Sequence, residues 1–135
     1  MSDSEKRVKR LERLMRVQTK KREIEEWRLA HLKRERSELD QKETDIIASL
    51  GVDTELHGLF LDSKVRTLRR NDRAKAKNSA DQVLSAQRLE QERRREKQAE
   101  RFREEAERVA DARADQKELQ SVLENLLSRA DASFE

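Results

Sequence analysis

The sequence predicts an all-α protein, a long two-helix antiparallel coiled-coil hairpin with an overhanging C-terminal helix end. Three observations predict it. The 135 residues contain no proline and only two glycines, so almost nothing interrupts a helix. Charged residues fill 45% of positions, and three Phe, one Trp and no Tyr are too few for a globular core. Such a composition is met by disorder or by long helices with a narrow apolar seam, and the missing proline favours helix. The third observation is one cluster of turn residues, Gly51-Val52-Asp53-Thr54, between two uninterrupted stretches. The chain therefore reads as a single coiled-coil domain over 1–135, with a helix over 5–50, a turn over 51–58 and a helix over 59–130.

The first helix opens on a capping box. Ser2 and Glu5 have the spacing at which hydroxyl and carboxylate satisfy each other's free backbone N–H. Leu11, Leu32, Leu39 and Ile46 recur at multiples of seven, and Val8, Met15, Leu29 and Leu50 form the adjoining row. Gln18, Arg22, Glu25, Arg36 and Glu43 share this seam, where polar residues weaken pairing but set its register. Gly51 stands where a left-handed C-cap residue is expected, and Asp53 or Thr54 can cap the next helix. Gly58 is either a second break or a tolerated weak point.

In the second helix the apolar stripe reads Leu61, Val65, Leu68, Ala76, Val83 and Ala86. It then continues as Phe102, Ala106, Val109, Gln116, Val122/Leu123 and Leu126/Leu127. The two arms are unequal: the first reaches roughly 70 Å and the second roughly 108 Å at 1.5 Å per residue. A turn near Thr54 sets Glu5 opposite Glu104, leaving Glu105 to Ala130 without a partner in the chain. That segment carries Leu119, Val122, Leu123, Leu126 and Leu127, the most apolar helical stretch of all, and so marks a partner interface.

Charge is unevenly distributed although the net value is only +3. Residues 61–97 carry 12 basic and 6 acidic side chains, whereas 98–135 carry 6 basic and 10 acidic. The acidic tip suits a basic partner and the basic middle an acidic one. Arg69, Arg70, Arg73, Lys75 and Lys77 form one cluster, and Arg93 to Arg95 with Lys97 another. Neither holds an aromatic residue to stack a base, and Glu90, Glu92 and Glu96 interleave with the second, so nucleic acid is not the expected partner.

No catalytic chemistry is expected. Carboxylates on open helices stay solvated, and two glycines build no phosphate loop. His31 and His57 are too far apart to form a metal-binding pair on one helix face, so neither a metal nor any other cofactor is expected. Trp27, four residues before His31, flanks the seam or anchors an interface. There is no cysteine, in keeping with a reducing cytoplasm. No signal peptide or membrane-spanning run is found, and direct membrane insertion is not expected.

Two short segments carry a family resemblance. Leu11-Glu12-Arg13-Leu14-Met15-Arg16-Val17 resembles the N-terminal signature of FliJ-type proteins of bacterial flagellar export, related to the YscO-type proteins of type III secretion. Arg113-Ala114-Asp115-Gln116-Lys117-Glu118-Leu119 is similar to the family's C-terminal Arg-x-x-Gln-Lys-x-Leu/Met stretch. Where the family often continues with an acidic pair, this chain has Gln120-Ser121.

The resemblance implies a coiled-coil stalk that inserts its terminal ends into the pore of a hexameric export ATPase and promotes hexamer assembly. It also implies contact with the export-gate membrane protein and escort of export chaperones, at the cytoplasmic face of the inner membrane. On this chain the pore-binding residues are then Leu11, Met15, Gln116, Lys117, Leu119, Val122, Leu123, Leu126 and Leu127. Leu61, Val65 and Leu68 are the candidates for the gate contact. Apart from the resemblance, the residues also fit a self-associating structural coiled coil or, through the 69–77 cluster, a nucleic-acid-binding helical protein.

Overall fold

A computed structural model describes residues 2–51 and 57–134 of the chain, excepting the side chains of His57 and Phe134. It holds two α-helices, α1 (Asp3–Leu50) and α2 (His57–Phe134), packed against each other, with no strand among the described residues. The fold is all-α. Contacts cluster into two units, Lys21–Arg93 and Met1–Lys20 with Arg94–Glu135.

In the first of these units the helices run antiparallel. Leu32 meets Asn78 and Leu39 meets Asn71, so seven residues forward on α1 correspond to seven backward on α2. Along α1 the seam positions, all buried or half-buried, are Arg22, Glu25, Leu29, Leu32, Arg36, Leu39, Glu43, Ile46 and Leu50, with Glu26 and Ser49 half-buried beside them. The seam positions alternate by three and four, which is the spacing of a coiled coil.

On α2 the seam is not the stripe that its apolar residues suggest. Its positions are Lys64, Leu68, Asn71, Lys75, Asn78, Gln82, Ser85, Leu89 and Glu92. Leu68 lies on it and Val65 beside it, but Leu61, Ala76, Val83 and Ala86 face solvent. The reason is what the helices exchange. Asn78 donates its side-chain N–H to the Leu32 carbonyl at 2.8 Å, and Asn71 donates to that of Leu39 at 3.0 Å. Arg36 answers from α1, donating to the Lys75 carbonyl at 3.0 Å and the Ser79 hydroxyl at 2.7 Å. A row of apolar residues three or four apart fits more than one heptad phase. Cross-helix amide bonds exist in only one of them.

An ion network flanks this seam. Lys75 pairs with Glu43 and, at 2.9 Å, with Asp40, which also accepts from Arg36 at 3.4 Å. The hydrogen bond to Glu43, then that to Asp40, raises the Lys75 pKa above its ordinary value. The hydrogen bond from Lys75 lowers that of Asp40. Glu26 is likewise lowered, first by its hydrogen bond from Arg22 and then by Arg93 of α2.

In the other unit the α1 seam is Ser4, Val8, Leu11, Met15 and Gln18, and the α2 seam is Glu96, Ala99, Arg103, Ala106 and Ala110. Phe102 and Val109, read from the sequence as part of the stripe, are exposed, whereas Ala106 is buried. Arg113 donates to the Ser4 hydroxyl at the end of the pairing.

The helix ends follow local chemistry. The Glu5 N–H donates to the Ser2 hydroxyl and the Ser2 N–H to the Glu5 carboxylate, completing the capping box. Gly51 departs from expectation: no described glycine has a positive φ, and its N–H donates back to the Ala48 carbonyl at 3.2 Å. α1 therefore closes on a tightened last turn, in which the short i→i−3 bond satisfies an end carbonyl without a left-handed residue. Gly58 lies inside α2 and breaks nothing. The caps expected at Asp53 or Thr54 lie outside the described residues.

Candidate partner-binding face

Pairing on α2 continues further than the arm-length arithmetic places it. Ala106 is buried and Ala110 half-buried, so the uncovered segment begins after Arg113 rather than at Glu105. From residue 111 to residue 133 every side chain is exposed. Helix persists throughout, and after the Arg113–Ser4 hydrogen bond no side chain of this segment is buried.

The leucines of this segment are not the seam carried onward. Stepping by sevens from Ala99 and Arg103 reaches Ala106, Arg113, Gln120 and Leu127 in one row and Ala110, Lys117 and Glu124 in the other. Apart from Leu127, the tip positions that would face a longer α1 are polar. Leu119, Val122, Leu123 and Leu126 project from another side of the helix, at spacings of three, one and three. Gln116 lies on that side three residues before Leu119. Exposures of 61% for Leu119, 49% for Val122, 51% for Leu123 and 55% for Leu126 leave this face open, and Leu127 on the seam row is 66% exposed. Apolar residues gathered on one side of a solvated helix are suited to a groove or to another helix. The flanking charge is acidic, with Asp115, Glu118, Glu124 and Asp131 against Lys117 and Arg129 over 114–134.

The other site residues read from the sequence are placed differently from these. Leu11 and Met15 are half-buried in the seam, so only their edges are free for a partner. Lys117 falls on the seam side and, with Ala114, Ser121 and Val122, borders a groove next to Ser2 and Glu5, so Val122 stands at the edge between the groove and the leucine face. At the start of α2, Leu61 is 42% exposed and continues an open run with Leu59 and Phe60, while Val65 and Leu68 are half-buried. The sequence reading missed Leu59 and Phe60. Their signal was present, because three successive large apolar residues cannot all face one seam.

Trp27 proves to be outside the seam, 62% exposed, with its ring stacked on His31 at 5.5 Å between centroids and 8° between planes. Leu84 and Arg88 of α2 lie against the same shallow groove. Among the described residues no group of three or more His, Cys, Asp or Glu is placed to hold a metal ion. No described helix is long and apolar enough to cross a membrane.

The chain matches no family model, no curated protein and no solved structure.

Proposed function

We propose that this chain is a non-catalytic stalk component of a bacterial flagellar or type III protein-export ATPase complex. In this reading its C-terminal tip enters the pore of the ATPase hexamer and promotes export. One observation carries the reading: Leu119, Val122, Leu123, Leu126 and Leu127 lie open on α2 beyond its pairing with α1. The likeness of residues 11–17 and 113–119 to the FliJ and YscO segments supplies the identity of that partner. The open run Leu59, Phe60 and Leu61 is the candidate contact for the export-gate protein, and the site of action is the cytoplasmic face of the inner membrane.

The test uses the intact chain and the export ATPase of the same organism. Burying two leucine side chains contributes about 1.5–3 kcal/mol each, so Leu123→Asp with Leu126→Asp should weaken binding by about a hundredfold or more. Far-UV circular dichroism should stay unchanged, because both side chains are exposed on the segment of α2 that does not pair with α1. Undiminished ATPase binding by this variant would overturn the assignment. Leu61→Asp should reduce binding to the gate protein and leave ATPase binding intact.

A further inference from the structure

A second open surface lies at the other end of the sequence. Residues 6–20 hold seven basic side chains against one acidic, Glu12. The charges are not spread evenly around α1. Lys6, Lys9, Arg10, Arg13, Arg16 and Lys20 fall within a sector of about 120° at 100° per residue, along about 21 Å of helix. All six are exposed, on a side of α1 distinct from the seam row Val8, Leu11, Met15 and Gln18.

Two properties of the stripe define what it fits. Among the described residues, Lys6, Lys9, Arg10, Arg13 and Arg16 have no carboxylate within ion-pairing distance. Asp3 borders the groove that these five line but pairs with none of them, so the face stays strongly positive and no ion pair fixes the five heads in one geometry. Apolar side chains also stand among and beside them: Val17 lies within the sector at 53% exposure, and Leu14, about 40° outside it toward the seam, is 48% exposed. A duplex presents fixed phosphates and gives exposed valine or leucine nothing apolar to meet, and the stripe has no aromatic ring to stack a base. A fluid layer of anionic headgroups suits unfixed cations on long stems and accepts shallow apolar side chains between them.

We propose that the Lys6–Lys20 face of α1 is a peripheral docking surface for anionic phospholipid, held by charge with Val17 and Leu14 resting at headgroup depth. The contact is reversible and inserts no segment. It does not depend on the stalk reading, since its ligand is lipid, although Arg13, Leu14, Arg16 and Val17 lie in the FliJ-like segment 11–17 that the stalk reading uses.

The experiment is co-sedimentation of the full chain with phosphatidylcholine vesicles, pure or containing phosphatidylserine, at low and high salt. Binding is expected to the anionic vesicles alone and to fade as salt rises. Arg10→Glu, Arg13→Glu and Arg16→Glu together should reduce it by about a hundredfold, given the contribution of each cation near an anionic surface. The comparison variant, Arg69→Glu, Arg70→Glu and Arg73→Glu, reverses as many charges on α2 and should bind within about twofold of the parent chain, if the stripe rather than net charge is responsible. Circular dichroism should show all three chains equally helical.

The proposal fails if anionic vesicles are not bound, or if both triple variants lose binding equally. It also fails if, in the same buffer, a DNA duplex or a polyglutamate peptide binds the parent chain more tightly than the vesicles do.

Discussion

Lys75 shows how much a single side chain does in this protein. It reaches from α2 to Asp40 and Glu43 of α1, while its own backbone carbonyl accepts from Arg36. The pKa directions give the sign of the pH dependence. Asp40 and Glu26 are lowered, so their stabilisation is present above the ordinary carboxylate pKa and is lost as pH falls through the folded values. Lys75 is raised, so its contribution is full below its ordinary pKa and is lost as pH rises through the folded value. Thermal melting should hold a plateau between about pH 5 and pH 10 and decline on both sides. Lys75→Met should lessen the alkaline decline, and an unchanged alkaline limb in that variant would assign the effect to another group. At the N-terminus, Ser2→Ala removes the acceptor of the Glu5 N–H and should cost about 1 kcal/mol, seen as faster amide exchange in the first turn of α1.

At the scale of the elements, each helix was legible to within a few residues, because neither proline nor an interior break occurs between the capping box and Leu50 or from Gly58 onward. The seam of α1 was legible as well: Leu11, Leu32, Leu39 and Ile46 with Gln18, Arg22, Glu25, Arg36 and Glu43 all fall on it. The seam of α2 was not. Asn71, Asn78 and Ser85 look like surface residues in a sequence, and only a facing carbonyl makes an asparagine a pairing residue.

Buried amides fix register at a cost in stability. Replacing Asn71 and Asn78 together with leucine should therefore raise the melting temperature. With the register bonds gone and leucine added to the seam, sedimentation equilibrium should show dimers or larger species at micromolar concentration. A variant that melts higher yet stays strictly monomeric would mean that the asparagines add nothing to specificity.

For the molecule as a whole, the division of labour follows from which residues are covered. The pairing of α1 and α2 ends near Arg113, and residues 111–133 contribute no buried side chain. A chain ending at Ala114 should therefore melt within a few degrees of the full chain, a shift worth less than about 1 kcal/mol. The same truncation should abolish ATPase binding, which separates holding the helices together from recognising a partner.

The sequence by itself determined that the chain is helical, where the first helix starts, and that one arm outruns the other. These follow from local propensity, capping geometry and length, which need no knowledge of neighbours. Tertiary structure decided which face of α2 meets α1. Apolar spacing alone is degenerate in phase, and the choice rests on hydrogen bonds between residues more than thirty positions apart. It also decided that Leu119, Leu123 and Leu126 of the tip face away from the seam, so their exposure is not simply the remainder left by a short first arm. That makes them an open surface, and the Lys6–Lys20 stripe on α1 is another of opposite character.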